Sequence, residues 1–146
     1  MAITEGSRIK NPYYAQRLVD FQGLELDDGI YPTDLDALIE YHDTEYILIE
    51  VKFEKAKVPY GQRLAIQRMV DDFTKAGKRA IALVAEHYDP NPRKPIIAAD
   101  CIVRELYYGE ESKWREPTHE LTVREAVDCF RGINSETLSV ENTEPV

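Results

Sequence analysis

The chain is poor in the residues that would tie it to many common chemistries. It has two cysteines in 146 residues, Cys101 and Cys129, with no CxxC and no Cys/His cluster. That excludes a disulfide scaffold and a zinc-finger arrangement, and reduced thiols fit a cytoplasmic protein. Apolar runs fall short of the roughly 20 residues that span a bilayer, and the N-terminal MAITEGSRIK has no signal-type apolar core. Neither GxxxxGK[ST] nor GxGxxG is present, so phosphate-cradling loops of those kinds are absent. The three histidines, His42, His87 and His119, lack metal-ligand spacing. DDG at 27–29 does not have the calcium-loop spacing.

Positive charge is also scarce, with a net of −9. Its distribution is uneven. Residues 1–51 carry 3 basic and 11 acidic side chains, residues 52–79 carry 8 basic and 3 acidic, and residues 80–146 carry 7 basic and 13 acidic. The one basic block begins at Lys52. Net charge alone argues against nucleic acid, but a local basic strip keeps it open.

What is present is the pattern of an α/β domain with a mixed sheet flanked by helices. Tyr14, Leu18 and Phe21 predict a helix over 12–22, with Pro12 in its first turn. Residues 23–33 read as turns. Residues 36–41 and 45–53 alternate and predict a β-hairpin turning at His42-Asp43-Thr44. Ile66, Met69, Val70 and Phe73 predict a helix over 60–76, stopped by Gly77. The apolar run 79–86 then completes a β-α-β crossover, with His87 at its end. CIVRELYY at 101–108 is a further strand, and Thr122 caps a helix over VREAVDCF, where Cys129 belongs to the core. Trp114, near Tyr107 and Tyr108, reads as a cover over the sheet. One domain is expected over 1–132, followed by a flexible, polar, acidic tail over 133–146.

The hairpin decides where its charges go. Side chains alternate across a strand. Ala37, Ile39 and Tyr41 share a charge-free face with Ile47, Ile49, Val51 and Phe53, so those faces lie on the core. Asp36, Glu50 and Lys52 then share the other face. A three-residue turn sets Asp36 opposite Glu50. Two close carboxylates repel, so one takes up a proton or both bind a cation. Carboxylate oxygen suits Mg²⁺, and Lys52 can act on a water or a phosphate. The plainer reading of the same residues is a surface ion pair between Glu50 and Lys52.

The pattern Pro32-Thr33-Asp34-Leu35-Asp36 followed by Ile49-Glu50-Val51-Lys52 resembles the PD-(D/E)xK nuclease superfamily, the small restriction-endonuclease-like and resolvase-like enzymes. The resemblance covers about residues 12–86. It implies a restriction-endonuclease-like core and a Mg²⁺- or Mn²⁺-dependent deoxyribonuclease that hydrolyses phosphodiester bonds. Asp36 and Glu50 would hold the metal, Lys52 would assist, and Gln62, on the following helix, would support the site. Asp34 has the same parity as Asp36 and competes for the ligand role; Asp36 is preferred because it runs directly into apolar strand residues. Many members add an acid from an N-terminal helix, for which this chain offers Asp20 or Glu25. Lys55, Lys57, Arg63 and Arg68 are the expected DNA contacts. A resolvase-type cutter would work as a homodimer. The small size fits a bacterial or phage accessory protein. The alternative is the same fold as a non-catalytic DNA- or protein-binding module, to which an acidic surface is suited.

Overall fold

The computed structural model describes residues 9–132, which fall into two units divided between Thr33 and Asp34. The tail expected over 133–146 lies outside the described residues. In the first unit, helix α1 (Pro12–Ala15) is a single turn. The longer helix expected over 12–22 does not form. Tyr14, Leu18 and Phe21 are all exposed, so their helical spacing has nothing to bury and a short helix gains no packing.

The second unit holds a five-stranded mixed sheet in the order β1-β2-β3-β4-β5. Strand β1 (Ala37–Tyr41) pairs antiparallel with β2 (Glu45–Phe53). Helix α2 (Tyr60–Lys75) crosses over to β3 (Arg79–His87), which runs parallel to β2. Strands β4 (Ile102–Tyr108) and β5 (Lys113–Arg115) continue the sheet antiparallel. A short 3₁₀ turn, Ala98–Asp100, precedes β4, and helix α3 (Val123–Phe130) closes the unit.

The hairpin turn takes positive φ at His42 and Asp43, and the Thr44 N–H donates to the Tyr41 carbonyl at 2.9 Å. Ala37 pairs with Ile49 and Tyr41 with Glu45. This is the register that a three-residue connection requires. Only part of the charge-free face of the hairpin meets a core: Ile47 and Ile49, with Ala37 and Val51 against them, pack with Ile81, Leu83, Val103, Leu106 and the apolar side of α3, whereas Ile39, Tyr41 and Phe53 stay exposed beyond its edge.

The opposite face is not left to water. Leu48, Ala80, Ala82 and Tyr107 pack beneath Ile66 and Val70 of α2. Within α2 the buried residues are Gln62, Ile66 and Val70, while Met69 is turned outward. Trp114 on β5, a strand not anticipated, tilts against Tyr107 at 5.3 Å and donates from Nε1 to Gln67 at 3.1 Å. Both cysteines are buried, and neither forms a disulfide. Among the described residues no helix is long and apolar enough to cross a membrane.

Candidate functional site

Because α2 covers the second face of the sheet, Glu50 is buried: only 3% of it is exposed. A carboxylate in that position must be compensated. Three donors converge on it. Lys52 Nζ lies 3.1 Å from Oε2, Gln62 Nε2 donates to Oε2 at 2.6 Å, and the Asp36 N–H donates to Oε1 at 3.3 Å. Asp36 in turn accepts the Val51 N–H on Oδ2 at 2.7 Å. The backbone and side-chain bonds between 36 and 50–51 lock the two carboxylates across the hairpin, where the parity of the strands sets them.

Gln62 is the hub. Besides Glu50, its Nε2 reaches the Asp34 carbonyl at 2.9 Å and Asp34 Oδ1 at 3.3 Å, and its Oε1 faces Lys52 Nζ at 3.5 Å. It is itself buried in the first turn of α2. The expected cluster of Asp36, Glu50, Lys52 and Gln62 is therefore assembled, and Asp34 joins it through Gln62. Burial raises the Glu50 carboxyl above the ordinary glutamate range, and the neighbouring Asp36 charge pushes it the same way. Hydrogen bonds from Lys52 and Gln62, with the charge of Lys52, oppose the rise.

The cluster lies at the carboxyl ends of the parallel pair β2 and β3, where open α/β sheets place their ligand sites. Register extends it sideways. Glu50 stands beside Val84, which pairs with Glu105 on β4, and Lys52 stands beside Glu86. A bulge between Val84 and Ala85 shifts the register there, and Arg104 ion-pairs with Glu86 at 3.6 Å. Arg104 also donates to the Ala56 carbonyl at 2.8 Å, pinning the segment that follows β2.

Glu86, Arg104 and Glu105 border an open groove of about 530 Å³ together with Lys55, Lys57, Arg63 and Glu116. Asp36, Glu50, Lys52 and Gln62 are not in its lining, and the groove neighbours the cluster through Glu86, the register partner of Lys52. Three of the four cations expected from the sequence are thus gathered, whereas Arg68 does not line the groove. Arg63 forms an ion pair with Glu105 and lies over the Trp114 ring, 4.2 Å from its centroid. Among the described residues Lys55 and Lys57 have no ion-pair partner. Sequence reading missed Arg104, Glu86 and Glu105. Strand alternation places each of them on a face, but only the pairing of β3 with β4 brings them to this end.

His87 ends β3 on the opposite face, against Phe53, and takes no part in the cluster. Among the described residues no three His, Cys, Asp or Glu side chains are gathered around one point fit for a metal ion. Asp36 and Glu50 offer two carboxylates, a number by which Mg²⁺ is commonly held when waters and substrate phosphate complete its shell. The donor set is all oxygen, and the raised Glu50 carboxyl marks a place where an added cation relieves charge. In these respects the residues fit such an ion.

Comparison with family models, with curated proteins and with solved structures gives no match to this chain.

Proposed function

We propose that the chain is a Mg²⁺- or Mn²⁺-dependent deoxyribonuclease with a restriction-endonuclease-like core, as its resemblance to the PD-(D/E)xK superfamily implies. The single observation that carries the reading is the buried Glu50, tied to Asp36 and Lys52 on one sheet face under Gln62. An ordinary surface ion pair would leave Glu50 in water, where a charge is cheap to keep.

In this reading Asp36 and Glu50 hold the divalent ion. Val51 fixes the Asp36 carboxylate through its N–H, and Gln62 fixes Oε2 of Glu50, so the ligands are preorganised. When bound, such an ion would supply Lewis-acid chemistry, offsetting phosphate charge and activating a water. Lys52, already beside Glu50, donates to a phosphate oxygen or orients that water. Lys55 and Lys57 meet the flanking phosphates in the groove. Arg63 can join them only by leaving Glu105, so it contributes less than a free cation.

One observation favours the non-catalytic reading: the net charge of −9, together with two groove arginines already paired to glutamates. Cleavage assays with Mg²⁺ and Mn²⁺ on single-stranded, duplex and branched DNA separate the two. Metal-dependent, chelator-sensitive cleavage that is lost in Asp36→Ala, Glu50→Ala and Lys52→Ala is the expected result. Full activity in Glu50→Ala ends the nuclease reading.

A further inference from the structure

The carboxyl ends of β2 and β3 carry aromatic rings that this chemistry does not use. Phe53 closes β2, His87 closes β3, and the two are register partners. Their rings tilt against each other with centroids 5.4 Å apart. Tyr88 follows at once, and its hydroxyl donates to Glu86 Oε1 at 3.0 Å. Phe53 is 42% exposed and Tyr88 55%. Single exposed aromatics are ordinary. Here Phe53 and His87 border an open hollow of about 290 Å³, and His87 and Tyr88 border one of about 370 Å³; the two have His87, Asp89, Lys94 and Ile96 in common. Three prolines, at 90, 92 and 95, stiffen the loop that forms their far wall.

Position gives the rings a use. Alternation sends Lys52 and Glu86 to the α2 side of the sheet and Phe53 and His87 to the other. Glu86 nevertheless lines both the basic groove and the larger hollow, so the two adjoin at this one side chain. The hollow is a poor phosphate site, because Glu86, Asp89 and Asp100 line it against the single cation Lys94. It suits a nucleobase: rings offer stacking, and the carboxylates accept from exocyclic amino groups. A basic groove beside exposed aromatic rings is how single strands are held, and a paired base cannot reach such a ring.

We infer that the surface shared by these two hollows, between Phe53 on the one side and Tyr88 on the other, takes an unpaired base of the bound strand, so that single-stranded or frayed DNA is the preferred substrate. The inference rests on the nuclease reading for its DNA, and adds the form of that DNA.

The test is fluorescence anisotropy in chelator, with a labelled oligodeoxyadenylate, whose bases carry the exocyclic amino group, and a hairpin duplex as probes. Wild type, Phe53→Leu, Phe53→Ala and Tyr88→Ala are compared. Phe53→Leu keeps apolar bulk against His87 and guards against loss of fold. Wild type is expected to bind the single strand more tightly than the duplex. Each substitution is expected to weaken single-strand binding about tenfold, as loss of one stacked base does, with duplex affinity unchanged. Equal losses on both probes, a wild-type preference for duplex, or no binding of either probe overturns the inference. Cleavage measured alongside keeps the two proposals apart. The expected binding pattern without any cleavage overturns the nuclease and keeps the base site. Metal-dependent cleavage with binding indifferent to Phe53 and Tyr88 does the reverse.

Discussion

Glu50 is the residue on which the site turns. Its side chain would be costly to bury alone, and three donors hold it, yet its carboxyl still stays above its ordinary value near 4.5. The sign of the consequence follows from linkage. A carboxyl with a raised folded-state pKa stabilises the fold below its unfolded value and loses that contribution as pH rises through the folded value. In chelator, wild type should therefore lose stability relative to Glu50→Gln as pH climbs above about 4.5. Melting curves of the two proteins from pH 4.5 to 7.5 check this, since other groups cancel in the difference. A constant gap would mean that the titration does not belong to Glu50. The aspartates can be ranked in the same way. Asp36 is tied to the Glu50–Val51 backbone, whereas Asp34 reaches the cluster through Gln62. Cleavage should be lost in Asp36→Ala and only reduced in Asp34→Ala; the opposite order would move the ligand role to Asp34.

Among the elements, those with a strong period were the ones readable in advance. The hairpin, its register, α2, the parallel β3 and the Thr122 cap of α3 all follow from spacing. Glu50, Lys52 and Asp36 follow from parity, because a one-residue slip would exchange every side chain between faces; Gln62, on a helix, came with the family resemblance. The cap is complete: Thr122 Oγ1 accepts the Glu125 N–H at 3.1 Å, and Glu125 returns to the Thr122 N–H at 2.9 Å. Thr122→Ala should cost about 1 kcal/mol, read as a shift of the denaturant midpoint. No shift would mean that α3 is held by its packing alone. Three residues of β5 show too little alternation to announce a strand, and Trp114 declares its neighbours only once Tyr107 lies beneath it. The helix over 12–22 had the right spacing and no surface to bury. The groove needed the β3–β4 pairing and its bulge, which join residues far apart in sequence. Local pattern carries no record of such contacts.

At the scale of the whole molecule, the proposed function has an acidic protein hold an anionic polymer through one local strip. The structure narrows that strip. Among the described residues Lys55 and Lys57 line the groove without an ion-pair partner, Arg63 is engaged with Glu105, and Arg68 is not in the lining. Reversing Lys55 and Lys57 to Glu should weaken DNA binding and lower the slope of log affinity against log salt by roughly 0.7–0.9 for each lost phosphate contact. Arg68→Glu should change the slope little. Affinity measured at several salt concentrations decides it. An Arg68 effect as large as that of Lys55 would place the DNA along the outer face of α2.

The central claim is that Asp36 and Glu50 form a metal centre rather than an ion-paired face. The most direct test needs no knowledge of which DNA is cut: the melting temperature of wild type and Glu50→Gln, each with chelator and with millimolar Mn²⁺. Binding to the folded state alone stabilises by mass action, by about 2.7 kcal/mol at 100 times the dissociation constant. Mn²⁺ should raise the melting temperature of wild type, and more than Mg²⁺ does. Glu50→Gln should melt higher than wild type in chelator, with one repelling charge gone, and should not respond to either ion. A Glu50→Gln protein that melts lower in chelator and keeps the wild-type response to Mn²⁺ would make Glu50 the ordinary partner of Lys52, and would contradict the metal centre.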